Sequence, residues 1–288
     1  MSSSTFTAAE RSARPSFEVV QSMCALSALV YNEGVGRMLH PEDVETDGEV
    51  TKEALAQIRS RSPKGHVVKP ITRAKSSLDC GVLLSEAQER VTVVFRGSLQ
   101  LKDWLVDLAF LKTADDGARV HGGFHFQLHY DGAMEEITKE VKLLLAKHPT
   151  YDVYCTGHSL GGALSSLCAF ELSFALPHTK IYNYSFASPR VGGVAWRDKF
   201  NARPNVFHVR VCNSSDTVTA VPTINFHHVG DWVIVLNTDH GHQPTFYTRT
   251  APYNHLTAFA FWTNLMPWRH LMASYWENLK GNEWPDDE

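Results

Sequence analysis

The chain has 288 residues, a formal net charge of −4 and a hydrophobic content of 43%. This length and hydrophobic content are sufficient for one large α/β domain, and no Pro/Gly/Ser-rich linker divides the chain in its middle. The lack of a basic excess argues against nucleic acid as the main partner, and no apolar run is long enough to span a membrane.

Cysteine usage and the first residues bear on the cellular compartment. The cysteines form no C-x-x-C pair and no spacing typical of metal ligands; they are Cys24, Cys80, Cys155, Cys168 and Cys212. An odd number of cysteines without a disulfide framework indicates a reducing compartment. Residues 1–15 are polar and lack the apolar stretch of a secretory signal. We therefore expect a cytoplasmic protein with a disordered leader over residues 1–15.

Helix and strand patterns alternate along the chain. Helices are predicted over Phe17–Tyr31, Thr51–Ser60, Gly122–Lys147, Ala163–Leu176, Val194–Asn201 and about His255–Lys280. Strands are predicted over His66–Thr72, Cys80–Ser85, Val91–Phe95, Tyr151–Cys155, Ile181–Phe186 and Val206–Val211, with a further strand pair within Phe226–Leu236. This alternation predicts a mostly parallel central sheet with helices on both faces, in a single domain over residues 16–281 followed by an acidic tail over 282–288.

The segment Thr156–Ala163 contains a G-x-S-x-G pattern whose central serine is Ser159. Because a predicted strand precedes it and a predicted helix follows it, the serine is expected on a sharp turn at the carboxyl end of the sheet. Glycines two residues to either side keep side chains out of this bend. The bare pattern also arises by chance, but its position between strand and helix favours a nucleophilic serine in an α/β-hydrolase fold.

Chain order suggests partners for this serine, since the acid and then the histidine follow the nucleophile in this fold. Asp216 lies just beyond a predicted strand, where the acid is expected, although a turn-forming aspartate is the simpler alternative. Asp231 and Asp239 are weaker rivals. The histidines that follow are His227, His228, His240, His242, His255 and His270. His255 and His270 are the candidates for the base, and sequence position alone does not choose between them.

Several sequence blocks, in the right order, resemble the class 3 (fungal-type) lipase family. They are Val94–Ser98 followed by Asp103–Leu108, then Val120–Phe124, Thr156–Ala163, Phe186–Gly192, Val209–Val218 and His228–Gly230. Ala187 departs from the family pattern, which has a glycine there. The blocks run from about Val91 to Tyr275, so the resemblance covers most of the predicted domain.

The resemblance implies an α/β-hydrolase fold with Ser159 as nucleophile, Asp216 as acid and a late histidine as base. The family places that histidine near the start of the last helix, ahead of a tyrosine. His270, which precedes Tyr275, fits this spacing better than His255 does. We therefore assign His270 as the base and keep His255 as the alternative.

An oxyanion hole is expected beside the nucleophile. The backbone N–H of Leu160, the residue after the nucleophile, is one predicted donor. The resemblance adds Ser98, through its backbone N–H and its hydroxyl. A plain turn serine after Gly97 is the alternative for Ser98.

The segment Leu99–Val106 is the candidate lid. On a helix, one face would carry the apolar side chains Leu101, Trp104, Leu105 and Leu108. Such a stripe could close over the acyl site in water and turn toward lipid at an interface. Ordinary core packing explains the same stripe, and only its position beside the oxyanion loop favours a lid.

Other histidines and aromatic residues have simpler explanations than a ligand site. The histidine groups are His121, His125 and His129 at helical spacing, and His240 with His242. No H-E-x-x-H motif accompanies them, so we expect structural or surface histidines and no metal. The aromatic cluster Phe259, Phe261, Trp262, Trp268, Tyr275 and Trp276 could wall an acyl pocket, and core packing explains it equally well.

The sequence thus predicts a serine carboxylester hydrolase of the triacylglycerol lipase type, which cleaves acylglycerols or related lipid esters without a cofactor. The expected partners are the lipid ester and, peripherally, a lipid droplet or membrane surface. A short-chain or aromatic esterase, a phospholipase A1 and a lipase-like interaction protein without turnover are the alternatives.

Overall fold

The computed structural model describes residues 5–37, 56–57, 60–61, 65–98, 113–114, 120–214, 216–237, 241–248 and 270–285. The helices are α1 (Ala8–Ser12), α2 (Phe17–Arg37), α3 (Gly122–His129), α4 (Ala133–Lys147), α5 (Leu160–Ala175), α6 (Val194–Asn201) and α7 (Met272–Gly281). The strands are β1 (His66–Arg73), β2 (Leu78–Ser85), β3 (Arg90–Phe95), β4 (Thr113–Ala114), β5 (Val120–His121), β6 (Asp152–His158), β7 (Ile181–Phe186), β8 (Val206–Asn213), β9 (Trp232–Leu236) and β10 (Thr245–Thr248). Within these described ranges, 3-10 turns lie at Ala74–Ser76, Tyr130–Gly132 and Thr217–Ala220.

Eight strands form one sheet in the order β1-β2-β3-β6-β7-β8-β9-β10. The five neighbouring strands β3, β6, β7, β8 and β9 are parallel. At the edges of the sheet, β1, β2 and β10 pair in the antiparallel direction. Parallel strands need both faces covered, and β3 and β8 are accordingly buried along their whole length. Their carboxyl ends meet at one edge of the sheet, where sites form in folds of this kind.

Helices cover both faces of this sheet and enclose two apolar cores. On one face, α3, α4, α5 and α6 bury side chains such as Phe124, Leu167 and Trp196. On the other face, α2 and α7 bury Leu26 and Trp276 against the sheet. The prediction of an α/β-hydrolase fold with a mostly parallel sheet is confirmed.

The helix predicted over Gly122–Lys147 is two helices in the structure. Asp131 and Gly132 have φ angles of 54° and 66°, which end α3 and redirect the chain into α4. Glycine adopts the left-handed region at no steric cost, and aspartate visits it more readily than most residues. The hydrophobic pattern continues through the turn, which is why the sequence reads as one helix.

The last strand pair also differs from its prediction. β9 pairs with β10, a four-residue strand in the region predicted as a loop. β10 lies at the sheet edge and is half-exposed, so its pattern is too short and too polar to identify.

Residues 5–15 are ordered, which differs from the expected disordered leader. Phe6 is buried between Tyr182 and Phe207, at ring distances of 5.0 and 5.5 Å. The Arg11 guanidinium lies 2.7 Å from a carboxylate oxygen of Asp231. A buried aromatic ring and an ion pair to a buried carboxylate help to hold this polar segment on the sheet, and the partners of both lie far from it in sequence.

The predicted acidic tail begins inside the packed structure as well. Asn282 is buried, and the Trp284 ring lies 4.8 Å from the Phe17 ring. The division into leader, domain and tail otherwise stays a prediction. No described helix has the length and apolarity needed to cross a bilayer.

Candidate active site

Ser159 lies on a sharp turn between β6, which ends at His158, and α5, which begins at Leu160. Its φ and ψ are 57° and −124°, a conformation that non-glycine residues rarely adopt. The Ser159 N–H donates to the carbonyl of Phe186, and its own carbonyl accepts from Gly162 and Ala163. These bonds hold the strained turn in place and leave the hydroxyl at the carboxyl edge of the sheet.

The glycines of the elbow allow backbone atoms to approach closely. A Cβ added to Gly157 would lie 2.4 Å from the carbonyl oxygen of Gly161. A Cβ added to Gly161 would lie 2.3 Å from the carbonyl oxygen of Phe95. Any other residue would push α5 away from β3 and β6, so these two positions require glycine for space.

The structure brings Ser159, His270 and Asp216 into one hydrogen-bonded chain. Ser159 Oγ lies 2.8 Å from His270 Nε2, and His270 Nδ1 lies 2.9 Å from Asp216 Oδ2. All three residues are at most 2% exposed. Because an ionised carboxylate only accepts, Nδ1 carries the ring proton and Nε2 accepts the Ser159 hydroxyl. This arrangement can move a proton from the serine to the histidine.

Further donors fix the Asp216 carboxylate. Oδ1 accepts from the Val218 N–H at 2.9 Å, and Oδ2 accepts from the Tyr275 hydroxyl at 2.7 Å. The Tyr275 oxygen in turn accepts from the Asn213 N–H at 3.0 Å. Burial and the charge of Asp216 raise the pKa of Tyr275 well above its usual value, so the tyrosine stays a donor. From sequence, Tyr275 served only as a spacing marker and a possible pocket wall.

Tyr275 and Trp276 do not wall a pocket. They are 0% and 1% exposed and belong to the core beneath α7. The other members of the aromatic cluster, residues 259, 261, 262 and 268, lie outside the described residues.

His158, the residue before Ser159, also contacts His270. Its Nε2 lies 2.7 Å from the backbone carbonyl oxygen of His270, and its Nδ1 lies 3.1 Å from the Tyr31 hydroxyl. Sequence reasoning did not assign a role to His158 or Tyr31. The only signal was the position of His158 inside the elbow motif.

The rivals for acid and base lie elsewhere or outside the described residues. Asp231 precedes β9 at the amino edge of the sheet, where it binds Arg11 and the His208 N–H. His228 Nε2 binds the Thr219 carbonyl oxygen at 2.6 Å, away from the serine. Residues 239, 240 and 255 lie outside the described part of the chain.

The predicted oxyanion donors lie on two neighbouring elements. Leu160 opens α5, and the first N–H groups of a helix have no intrahelical acceptor. Ser98 follows β3, the strand that pairs with the elbow strand β6. Their role as oxyanion donors stays a prediction. The lid residues Leu101, Trp104 and Leu105 lie outside the described residues.

The histidines at helical spacing contact neighbouring side chains. His121 packs on Phe124, while His125 stacks on His129, whose Nε2 lies 2.7 Å from a Glu171 carboxylate oxygen. Within the described ranges, no three His, Cys, Asp or Glu side chains are grouped as metal ligands.

Comparison with known proteins identifies relatives. Residues 92–226 match the family model of class 3 lipases. The secreted mono- and diacylglycerol lipase A of Penicillium cyclopium is 32% identical over 152 residues, which cover 51% of this chain and 48% of that protein. A lipase of Rhizomucor miehei is 30% identical over 162 residues, covering 53% of this chain and 44% of that protein. The chain thus spans about half the length of the curated relatives it matches.

A solved structure extends the likeness beyond the matched segment. Lipase II from Rhizopus niveus superposes with a TM-score of 0.63 at 25% identity, covering 77% of this chain and 82% of that one.

The prediction of a cytoplasmic protein is wrong. The Penicillium relative is named as a secreted lipase, which contradicts it. The prediction rested partly on unpaired cysteines, yet all five cysteines are buried. Burial raises the pKa of Cys24, Cys80 and Cys168, so these thiols stay protonated and shielded. Thiols of this kind carry little information about the redox state of a compartment.

The matched segment contains Ser159 and Asp216 at the carboxyl edge of the sheet, and the structure adds His270 from beyond its end. Residues 92–226 are thus similar in sequence to class 3 lipases, and the fold around them is similar to that of a solved lipase.

Proposed function

We propose that the protein is a serine carboxylester hydrolase that cleaves acylglycerols or related lipid esters. The observation that carries the proposal is the hydrogen-bonded chain from Ser159 through His270 to Asp216. Its donors and acceptors all run in the direction that proton transfer to the histidine requires. The names of the fungal relatives, which include a mono- and diacylglycerol lipase, support the substrate class.

In the proposed reaction, Ser159 Oγ attacks the ester carbonyl carbon while His270 Nε2 accepts the hydroxyl proton. Asp216 stabilises the imidazolium that forms, and the imidazolium then donates its proton to the leaving alkoxide. The acyl group remains on Ser159 until a water molecule, activated by the same histidine, hydrolyses it. The backbone N–H groups of Leu160 and Ser98 stabilise the oxyanion in this proposal, and losing such a donor costs about 3 kcal/mol.

The proposal includes peripheral, reversible contact with a lipid surface. Ile224 is 77% exposed and follows the turn that begins after Asp216, so an exposed apolar side chain lies on the segment that follows the proposed acid in the chain. The proposed lid adds Leu101, Trp104 and Leu105 to such a surface. Sedimentation with an acylglycerol emulsion tests the contact: Ile224→Ser should reduce the bound fraction while leaving hydrolysis of a soluble ester unchanged.

The function is tested with p-nitrophenyl esters of increasing acyl length, assayed with the unaltered protein, Ser159→Ala and Ser165→Ala. Ser165 lies on α5 and donates to the Gly162 carbonyl, so it is a matched serine away from the reacting atoms. We expect Ser159-dependent turnover that rises with chain length, and unchanged turnover in Ser165→Ala. Turnover confined to short esters would replace the lipase assignment with an esterase. No turnover with any ester, natural acylglycerols and phospholipids included, would contradict the proposal and favour an interaction protein.

A further inference from the structure

Two residues outside the triad, Tyr31 of α2 and His158, connect that helix to the main chain of His270. His158 is 3% exposed and lies between Tyr31 and His270. Its Nδ1 is 3.1 Å from the Tyr31 hydroxyl, and its Nε2 is 2.7 Å from the carbonyl oxygen of His270. The proposed reaction uses neither side chain.

The partners of His158 determine its protonation. A carbonyl oxygen only accepts, so Nε2 carries a proton and donates it to His270. Burial and the neighbouring His270 lower the pKa of His158 well below its usual value, so the ring is neutral. The Nδ1 atom of a neutral ring with Nε2 protonated has a lone pair that accepts the Tyr31 hydroxyl proton at 3.1 Å, and the His158 carbonyl oxygen is a second, longer acceptor for that proton at 3.4 Å. The hydrogen bonds thus run in one direction, from the Tyr31 hydroxyl through the His158 ring to the His270 carbonyl oxygen.

The same contacts reach the oxyanion loop. A Cβ on Gly97 would lie 1.8 Å from the Tyr31 hydroxyl oxygen and 2.6 Å from the His158 carbonyl oxygen. Gly97 immediately precedes Ser98, the predicted oxyanion donor. Tyr31 therefore packs against the backbone of that loop while it orients His158.

We propose that His158 and Tyr31 are positioning residues that hold His270 in line with Ser159. The inference rests on the proposed hydrolase function. His270 immediately precedes Leu271, the N-cap of α7, so its carbonyl lies where the chain enters that helix. A bond to this carbonyl fixes the main chain from which the imidazole projects. The two histidine rings are 4.9 Å apart and the Tyr275 ring borders His158 at 5.4 Å, so the packed cluster leaves the base little freedom to turn.

Four variants separate a positioning role from a purely structural one. His158→Leu removes the donor to the His270 carbonyl, whereas His158→Gln keeps an N–H donor close to the Nε2 position. Tyr31→Phe removes the donor to His158. Tyr182→Phe is the matched control, because Tyr182 stacks on Tyr154 on the same face of the sheet, outside the site.

The readouts are kcat and KM for a soluble p-nitrophenyl ester, the rate at which a fluorophosphonate labels Ser159, and the melting temperature. A displacement of about 1 Å in a reacting group lowers turnover by about 100-fold. We expect His158→Leu to lower kcat by about 10- to 100-fold with an unchanged KM and to slow labelling in parallel. His158→Gln should restore kcat to within about fivefold, Tyr31→Phe should lower it several-fold, and Tyr182→Phe should leave it unchanged.

Two kinetic outcomes would overturn the inference. In the first, His158→Leu retains full kcat. In the second, His158→Leu and His158→Gln are equally inactive and both melt at a lower temperature, which would assign the pair to folding alone.

Nitrogen-15 NMR of the His270 imidazole makes the test independent of turnover. The unaltered protein should show a single tautomer protonated at Nδ1, and His158→Leu should show exchange broadening or a mixture of tautomers. An identical spectrum in His158→Leu contradicts the positioning role even if the protein hydrolyses no ester. Failure of the proposed function alone would appear differently, as an unaltered protein that neither turns over nor labels but whose His270 spectrum still depends on His158.

Discussion

At the scale of single residues, Ser159 combines a strained backbone with a well-supported hydroxyl. A non-glycine residue in such a conformation costs on the order of 1–3 kcal/mol, which the surrounding structure must offset. Here the offset comes from the N–H bond to Phe186 and from the helix that begins at the next residue. This conformation presents the hydroxyl to His270 Nε2 at 2.8 Å.

The strain gives a prediction about stability and activity together. Ser159→Ala and Ser159→Gly should each lower turnover by about 10⁴-fold or more, because both remove the nucleophile. Glycine relieves the positive φ angle, so Ser159→Gly should be about 1 kcal/mol more stable than Ser159→Ala in urea unfolding. Equal stability of the two variants would contradict the strain argument.

Substitution of the two candidate histidines tests which of them is the base. His270→Ala should lower kcat by about 10⁴-fold or more, while His255→Ala should keep the turnover of the unaltered protein. The expectation follows from the 2.8 Å contact between His270 Nε2 and Ser159 Oγ. Loss of turnover in His255→Ala with an active His270→Ala would reverse the assignment.

The Tyr275 hydroxyl should contribute to catalysis through Asp216. Tyr275→Phe removes one donor from Oδ2 and leaves the Asn213 N–H without this acceptor. We expect kcat to fall about tenfold and the free energy of unfolding to fall by about 1–2 kcal/mol. Parallel measurements of ester turnover and urea unfolding check both effects, and an unchanged kcat would show that the remaining donors suffice to orient the carboxylate.

At the scale of elements, the site is assembled where β6, β8 and α7 meet. Asn213 at the end of β8 binds both Tyr275 and Asn278 of α7, so the strand that leads to Asp216 is tied to the helix that follows His270. Asp216 and His270, the proposed acid and base, are therefore aligned by contacts between their elements as well as by their direct bond.

The close approach of α5 to β3 gives an element-scale prediction. Gly161→Ala places a methyl group 2.3 Å from the Phe95 carbonyl oxygen and should cost about 3 kcal/mol of stability as well as activity. Gly241→Ala is the contrast, because its Cβ would meet nothing within 4 Å and only the φ of +80° is strained. That variant should lose about 1 kcal/mol and no activity. Urea unfolding measures the stability of the two variants, and ester turnover measures their activity. Similar losses of stability and activity in the two variants would refute the close-approach explanation.

At the scale of the whole molecule, residues 5–15 connect distant strands. Glu10 caps α1 with Thr7 and pairs with Lys180, at the start of β7. These contacts lower the pKa of Glu10 from 4.5 to about 2, with the Lys180 contribution the largest. A lowered pKa in the folded state stabilises the protein above pH 4.5, and this contribution is lost as the pH falls toward 2.

The lowered pKa of Glu10 gives the prediction at this scale. Glu10→Gln should lower the melting temperature slightly at pH 7, and the difference from the unaltered protein should shrink steadily between pH 4.5 and pH 2. Glutamine can still serve in the cap, so the comparison isolates the charge. In a Lys180→Met background the same substitution should have a smaller effect at pH 7. A difference that does not change with pH would rule out the ion pair as its source.

Local patterns predicted most of the sheet, and long-range contacts account for what they missed. Apolar strands such as β3 and β8, and the elbow around Ser159, are readable because their signals lie within a few residues of one another. The bonds from Tyr275 to Asp216 and from His158 to His270 join residues far apart in sequence, and no local pattern specifies them. The choice of His270 over His255 came from the family spacing and not from the residues alone. The ordered segment around Phe6 was missed for the same reason, since its partners lie on β7 and β8.

The buried face of α7 packs on α2, β8 and β9, so we expect this helix to dock after the sheet has formed. A refolding chain with a complete sheet and a formed elbow would still lack its base. Recovery of esterase activity should therefore lag behind recovery of sheet structure. A colorimetric ester assay during refolding would measure the rate at which α7 docks.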